Sequence, residues 1–122
     1  KAKRSLNANA YLWVLVGKIA DRLRASKDDI YLKCLKLYGQ SEIVSVLSAI
    51  DVRGFFKYYE PIGTGHVDGR EFTHYRIFKG SSEYDTREMS VLIDGVISEA
   101  KELGIETIPP KEIERLKTMW RA

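Results

Sequence analysis

The sequence predicts an α+β protein, a single domain of about four helices packed on a small antiparallel sheet. Apolar residues recur at helical spacing towards both ends of the chain, whereas the middle is rich in Val, Ile, aromatic and turn residues. A chain of 122 residues can bury one modest core, and no internal repeat or linker divides it. We therefore expect one domain over residues 1–122.

Capping residues followed by apolar stripes predict the first two helices. Ser5 and Asn7 both suit an N-cap, and the stripe that follows predicts a helix from about residue 7 to residue 24. Its early turns, around Trp13, are apolar on nearly every side, so we expect them to supply core and part of a subunit interface. Ser26 begins a second helix, which ends at Gly39 and shows several lysines to solvent.

The middle of the chain predicts short strands. The segment Glu42–Leu47 reads as a strand, although its spacing also fits a helix, and Asp51 can cap a short helical turn. Turn residues are dense over Gly63–Gly69, which predicts a loop. The run Glu71–Lys79 is the clearest strand, and its antiparallel partner is either the first strand or Lys57–Glu60.

Two further helices are predicted after the strands. Asp85 with a glutamate three residues later forms the pattern of a capping box, and a continuous apolar stripe then runs to Gly104. Pro109 or Pro110 can occupy the first position of a last helix, whose stripe ends at Trp120.

Composition indicates a soluble intracellular protein. No apolar run reaches the roughly 18 residues that a membrane span needs, and no signal-peptide pattern opens the chain. Cys34 is the only cysteine, so an intrachain disulfide is impossible, and its place in an apolar stripe favours core packing. The sequence lacks a starting methionine, which indicates that preceding residues of the natural chain form another element.

The positive charge lies at the front of the chain. The net charge is +3, and residues 1–40 carry nine Lys and Arg against three Asp and Glu, whereas residues 81–122 carry six against nine. Such a basic segment is typical of a face that binds a polyanion, because cations displace the counterions condensed on phosphates. A solvated basic helix would give the same pattern.

No catalytic or cofactor site is predicted. His66, Asp68 and His74 are the one His-centred cluster, but they straddle the predicted loop and have no cysteine or further histidine to complete a metal site. The acidic pair Asp28-Asp29 suits magnesium, yet it lies at a predicted helix start, where carboxylates satisfy free N–H groups. We therefore expect neither metal nor cofactor, and a protein that is not an enzyme.

Aromatic and basic residues interleave in the clearest strand. Phe72, His74, Arg76 and Phe78 share one face of this strand, and Lys57 precedes two tyrosines upstream. Single-stranded nucleic acid is bound by such combinations, because rings stack on bases while cations hold phosphates. One face must nevertheless cover the core, so the same pattern also fits buried aromatic residues.

The start of the chain resembles a known family. Arg4-Ser5-Leu6, Asn9, Leu12-Trp13 and Gly17 are similar to the R-S-L-x-x-N-x-x-L-W-x-x-x-G opening of the NinB/Orf recombination proteins of lambda-like phages and prophages. The order of predicted elements also follows the family, and Lys79–Met89 resembles its prophage branch from Gram-positive hosts. Family members carry a strand or two before the Arg-Ser-Leu motif, and this sequence has almost nothing there.

The resemblance implies a homodimer in the cytoplasm of a bacterial host. Such a protein binds single-stranded DNA without strong sequence preference and helps a recombinase load on DNA that single-strand-binding protein already coats. Two alternatives stay open: a small metal-dependent phage nuclease, and a module that binds single-strand-binding protein or a replication protein without touching DNA.

We predict a set of DNA-binding residues in which cations contact the phosphates and two side-chain amides hydrogen-bond to the DNA strand. The predicted phosphate contacts are Lys3, Arg4, Lys18, Lys79 and Arg87, and the predicted hydrogen-bonding amides are Asn7 and Asn9.

Overall fold

Four helices and three strands confirm the α+β fold class. The structure is a computed structural model, and it describes residues 7–118. The elements in chain order are α1 (Ala8–Leu23), α2 (Lys27–Tyr38), β1 (Ser41–Leu47), β2 (Tyr59–Val67), β3 (Arg70–Phe78), α3 (Thr86–Glu102) and α4 (Pro110–Thr118).

The helices begin where the sequence places capping side chains. The Asn7 side chain accepts a hydrogen bond from the backbone N–H of Ala10 at 2.9 Å, and Ser26 accepts one from Asp29 at 3.0 Å. Each bond satisfies a backbone donor that the first helical turn leaves free. The predicted starts of α1 and α2 are confirmed.

A complete capping box starts α3. The Asp85 carboxylate accepts from the Glu88 N–H at 2.8 Å, and the Glu88 carboxylate accepts from the Asp85 N–H at 3.0 Å. Two backbone donors are thus satisfied reciprocally, as the sequence predicts.

Removing this cap should destabilise the protein. We expect Asp85→Ala to lower the free energy of unfolding by about 1 kcal/mol, because the first turn of α3 loses a charged acceptor. Urea denaturation measures the difference. Asp85→Asn keeps an acceptor at the same place and is the control, so an equal loss in both variants would contradict a capping role.

The hydrophobic core lies between the helices. Buried side chains from α1, α2 and α3 form one cluster, with Leu12, Leu35, Met89 and Ile93 fully enclosed. The apolar surface around Trp13 on α1 packs against another helix of the same chain, because the Trp13 indole stacks on Tyr31 of α2 with ring centroids 4.2 Å apart. This part of α1 therefore supplies core, as the sequence predicts, and packs against α2.

The three strands form one antiparallel sheet in the order β1-β3-β2. Both candidate partners of β3 pair with it: Val44 of β1 lies opposite Tyr75, and Tyr59 of β2 lies opposite Ile77. Because β3 is the central strand, the connection from β1 to β2 must cross one face of the sheet. We call residues 48–58 the crossover segment.

The crossover segment covers one face of the sheet. Phe56 lies against the rings of Tyr59 and Tyr75, each at a centroid distance of 6.1 Å, and Ser48 hydrogen-bonds Thr73 at 2.7 Å. Val52, in a short 3₁₀ turn, is buried. We call this the covered face and the opposite one the open face.

The predicted loop over Gly63–Gly69 is wrong. Residues up to Val67 continue β2, and only Asp68 and Gly69 turn the chain into β3, with φ angles of 51° and 77°. Positive φ at both central residues gives the turn that matches strand twist, and Asp-Gly adopts it readily. Glycines are tolerated within β2 because it is an outer strand with a bulge between Pro61 and Gly63.

The helices pack mainly on one another rather than flat across the sheet. The sheet joins them at the end of β3, where Phe78 is buried in the core and Tyr58 meets Tyr31 edge-on at 5.2 Å. Most of the sheet therefore extends away from the helices. We call the end of the sheet near Phe78 its base, and this base forms a junction with α1 and α2.

Candidate nucleic-acid interface

A groove of about 660 Å³ lies at this junction. The base of the sheet, the crossover segment, the start of α1 and the loop before α3 form its walls. We call it the basal groove. The lining residues that bear on binding are Asn9, Trp13, Glu42, Phe55, Lys57 and Lys79.

Aromatic rings form part of the walls of the basal groove. Trp13 and Tyr58 are half-buried there and both contact the buried ring of Tyr31, which holds them in place from below. Phe55 of the crossover segment also lines the groove, and 77% of this residue is exposed. A large apolar ring left so exposed is available to stack on a flat ligand.

Two lysines accompany these rings. The Lys57 ammonium lies 5.3 Å from the centroid of the Tyr58 ring, a cation–π contact that leaves the lysine exposed. Lys79 pairs with Glu88 at 3.2 Å and lies 5.8 Å from the centroid of Tyr84. Both ammonium groups stay at the surface of the groove, where a phosphate can reach them.

Asn9 fixes the floor of the groove through a buried hydrogen-bond network. The Ser81 hydroxyl donates to the Asn9 side-chain oxygen at 2.7 Å, and the Tyr31 hydroxyl donates to Ser81 at 2.8 Å. Burial raises the pKa of Tyr31, which keeps its proton in this network. Asn9 thus ties α1 to the loop before α3, and its amide nitrogen is the group left to contact a ligand.

The predicted DNA-binding residues do not form one cluster. Asn9 and Lys79 meet in the basal groove, whereas Lys18 lies nine residues further along α1, roughly 14 Å away at 1.5 Å per residue, beside a second hollow. Arg87 is exposed in the first turn of α3, and the Asn7 oxygen is used in capping α1.

Two of the predicted phosphate contacts, Lys3 and Arg4, lie outside the described residues.

Phe55 is the groove residue that sequence reasoning missed. It follows Gly54 in the crossover segment and belongs to no apolar stripe, so its position gives no periodic signal. The sequence signal that could have identified it is the pair Phe55-Phe56 directly before Lys57, because aromatic residues next to a cation are typical of nucleic-acid-binding surfaces.

The open face of the sheet carries the even-numbered residues of β3. His74 hydrogen-bonds Ser45 of β1 at 2.7 Å, and Arg76 lies 3.9 Å from Glu60 of β2. Phe72 is opposite Gly65, which has no side chain to cover it. Phe78, at the end of the same row, is buried in the core against the helices, so this row of β3 carries both a half-buried and a buried phenylalanine.

The two histidines of the only His-centred cluster in the sequence point to opposite faces of the sheet. His66 pairs with Glu71 on the covered face, whereas His74 belongs to the open face. Residues 7–118 contain no group of three or more His, Cys, Asp or Glu side chains placed to hold a metal ion. A nuclease centre built on these two histidines is therefore not formed.

Comparison with protein-family models, with curated proteins and with solved structures returned no match for this chain. Within residues 7–118, none of the helices combines the length and apolar composition that crossing a membrane requires. Function must therefore be inferred from the basal groove and from the resemblance at the start of the chain.

Proposed function

We propose that this protein binds single-stranded DNA in the bacterial cytoplasm and acts by binding alone, as an accessory to phage or prophage recombination. Its role would be to help a recombinase load on DNA that single-strand-binding protein already coats.

The basal groove is the observation that carries the DNA-binding part. It brings together an exposed ring, Phe55, the cations Lys57 and Lys79 and the Asn9 amide in one groove. Stacking of a base on an aromatic ring contributes about 1–3 kcal/mol, and cations hold the flanking phosphates without reading sequence. A duplex offers no free base face, so this arrangement favours single strands.

The resemblance to NinB/Orf proteins supports the recombination part. The motif residues within the described chain have structural roles: Asn9 bonds Ser81, Trp13 stacks on Tyr31, and Gly17 lies beneath the Lys27 side chain. Because these motif residues determine packing, they support the proposal that this chain shares its fold with the NinB/Orf proteins. The recombination role is proposed by analogy with that family.

The sheet supports the proposal of a homodimer. Ile43 on the open face is 58% exposed and belongs to β1, an outer strand of the sheet without proline or bulge. Exposed apolar surface beside an unprotected strand edge favours association with another chain. A second copy of this protein is the partner that we propose.

A binding titration at two salt concentrations tests the proposed function. We expect a labelled single-stranded oligonucleotide to bind more tightly than its duplex, with affinity that falls as salt rises. Lys57→Gln should lower the slope of log affinity against log salt by roughly 0.7, because one phosphate contact is lost. Lys111→Gln removes an exposed lysine of α4, far along the chain from the groove, and is the matched control.

Two results would contradict this proposal. Absence of binding to bare single strands, with a replication or single-strand-binding protein still captured, would favour the interaction module. Metal-dependent cleavage of the oligonucleotide would favour a nuclease whose centre does not use His66 and His74 together.

A further inference from the structure

We propose that the basal groove prefers guanine, with the Glu42 carboxylate accepting hydrogen bonds from the N1–H and 2-amino groups of one unstacked base. The inference rests on the proposed function, and it adds a base preference to a surface otherwise built for stacking and phosphate contacts.

An unused carboxylate in the basal groove leads to this inference. Three glutamates line it, but Glu88 belongs to the capping box and pairs with Lys79, and Glu83 lies just before α3, where the helix dipole favours negative charge. Glu42 is exposed, and it has no hydrogen bond or ion pair to the residues that the structure describes. Its charge has no role in the fold.

A carboxylate repels phosphate, so a ligand must present hydrogen-bond donors to Glu42. Glu42 lies opposite Ile77 on the covered face of the sheet, at the end where that face meets the groove. Aromatic side chains line the same groove, which suits the flat face of a base rather than its backbone. A base stacked on one of these rings would direct its polar edge towards the carboxylate.

Guanine has the edge that matches a carboxylate best. Its Watson–Crick edge carries two adjacent donors, which two carboxylate oxygens can accept together. Thymine offers one N–H between two carbonyl oxygens, and both oxygens would face the negative charge. Adenine and cytosine offer one amino group beside an acceptor nitrogen. The guanine edge is accessible only in single strands, in agreement with the proposed function.

The size and charges of the groove suit one nucleotide with its flanking phosphates. A volume of about 660 Å³ lies within the range of small-ligand sites. Phe55 can stack on the base, while Lys57 and Lys79 line the same groove and are placed to hold phosphates. The Glu42 carboxylate, the Phe55 ring and the two lysines then have separate parts of the nucleotide to contact.

Fluorescence anisotropy with three labelled oligonucleotides tests the preference. The probes are oligo(dT), the same strand with one central deoxyguanosine, and the same strand with one central deoxyinosine, which lacks the 2-amino group. We expect the guanine strand to bind about tenfold more tightly than oligo(dT), and the inosine strand to lie between them.

Glu42→Gln should reduce the guanine-to-thymine affinity ratio to about one, because an amide cannot accept both hydrogen bonds. Glu71→Gln changes a strand glutamate outside the groove and should leave the ratio unchanged. Equal affinities of the unmodified protein for all three strands, or a ratio that survives Glu42→Gln, would overturn this inference while leaving DNA binding intact. Failure of all three strands to bind would instead overturn the proposed function.

Discussion

Gly95→Ala is expected to destabilise the protein by about 2 kcal/mol, although alanine is the better helix former. Gly95 is buried in α3, and an added Cβ would lie 2.3 Å from Cγ of the Tyr38 ring. The ring is held in place, since the Tyr38 hydroxyl donates to Glu99 at 2.6 Å. Overpacking costs about 1–3 kcal/mol, and an approach of 2.3 Å places this variant at the upper end of that range. Subtracting the gain of about 1 kcal/mol in helix propensity leaves a net loss of about 2 kcal/mol.

Gly17→Ala is the matched control within α1. The added Cβ would lie 3.2 Å from Cε of Lys27, the flexible end of an exposed side chain that can move away. We expect this variant to be as stable as the unmodified protein or up to about 1 kcal/mol more stable. Urea denaturation distinguishes the two substitutions. Equal stability changes in both variants would show that Tyr38 does not require glycine at position 95.

The hydroxyl of Tyr38 gives a second measure of this contact. The hydrogen bond to the Glu99 carboxylate raises the pKa of Tyr38 to about 12, because ionisation would place two negative charges together. A clash that displaces the ring in Gly95→Ala should therefore bring the tyrosine pKa back towards its ordinary value.

The helical part of the fold was predictable because its signals are local. Asn7, Ser26 and Asp85 each begin a helix with a capping hydrogen bond, and the apolar stripes that follow them supply the core. Both features depend on residues three or four positions apart in sequence. The two candidate partners of β3 were predicted for a similar reason, since they carry strand-forming residues, but the sequence left open which of them pairs with β3, and the structure shows that both do.

The course of β2 was not predictable from local composition. Gly63 and Gly65 are typical of loops, yet pairing with His74 and Phe72 keeps them in the strand. The Asp68-Gly69 turn was the stronger signal, because this dipeptide fixes the hairpin and therefore the register of both strands.

The basal groove depends on contacts between segments far apart in sequence, and this explains why it was predicted only in part. Asn9 and Lys79 were identified as binding residues, but they line one groove only because the fold brings the start of α1 to the loop before α3, where Asn9 bonds Ser81. Phe55 reaches the groove because the sheet order forces the crossover segment over β3. Neither the sheet order nor this path has a sequence signal.

Phe55→Ala is expected to reduce the affinity for single-stranded DNA by roughly 5- to 150-fold, the equivalent of about 1–3 kcal/mol for a lost base stack. Stability should hardly change, because Phe55 is 77% exposed and its removal leaves no cavity. Anisotropy titration at fixed salt measures the affinity, and urea denaturation of the same samples measures stability. The salt slope should stay the same, since no charge is removed.

Ile50→Ala separates stacking in the groove from general apolar contact. Ile50 lies in the same crossover segment and is also exposed, but it does not line the basal groove. Its removal should leave the affinity unchanged. If both variants bind DNA as the unmodified protein does, the groove is not the binding surface. The open face becomes the next candidate, because Phe72 and Arg70 are neighbours on that face of β3. If both lose affinity equally, the segment acts by its packing on the covered face, and the contribution of a base stack at Phe55 is contradicted.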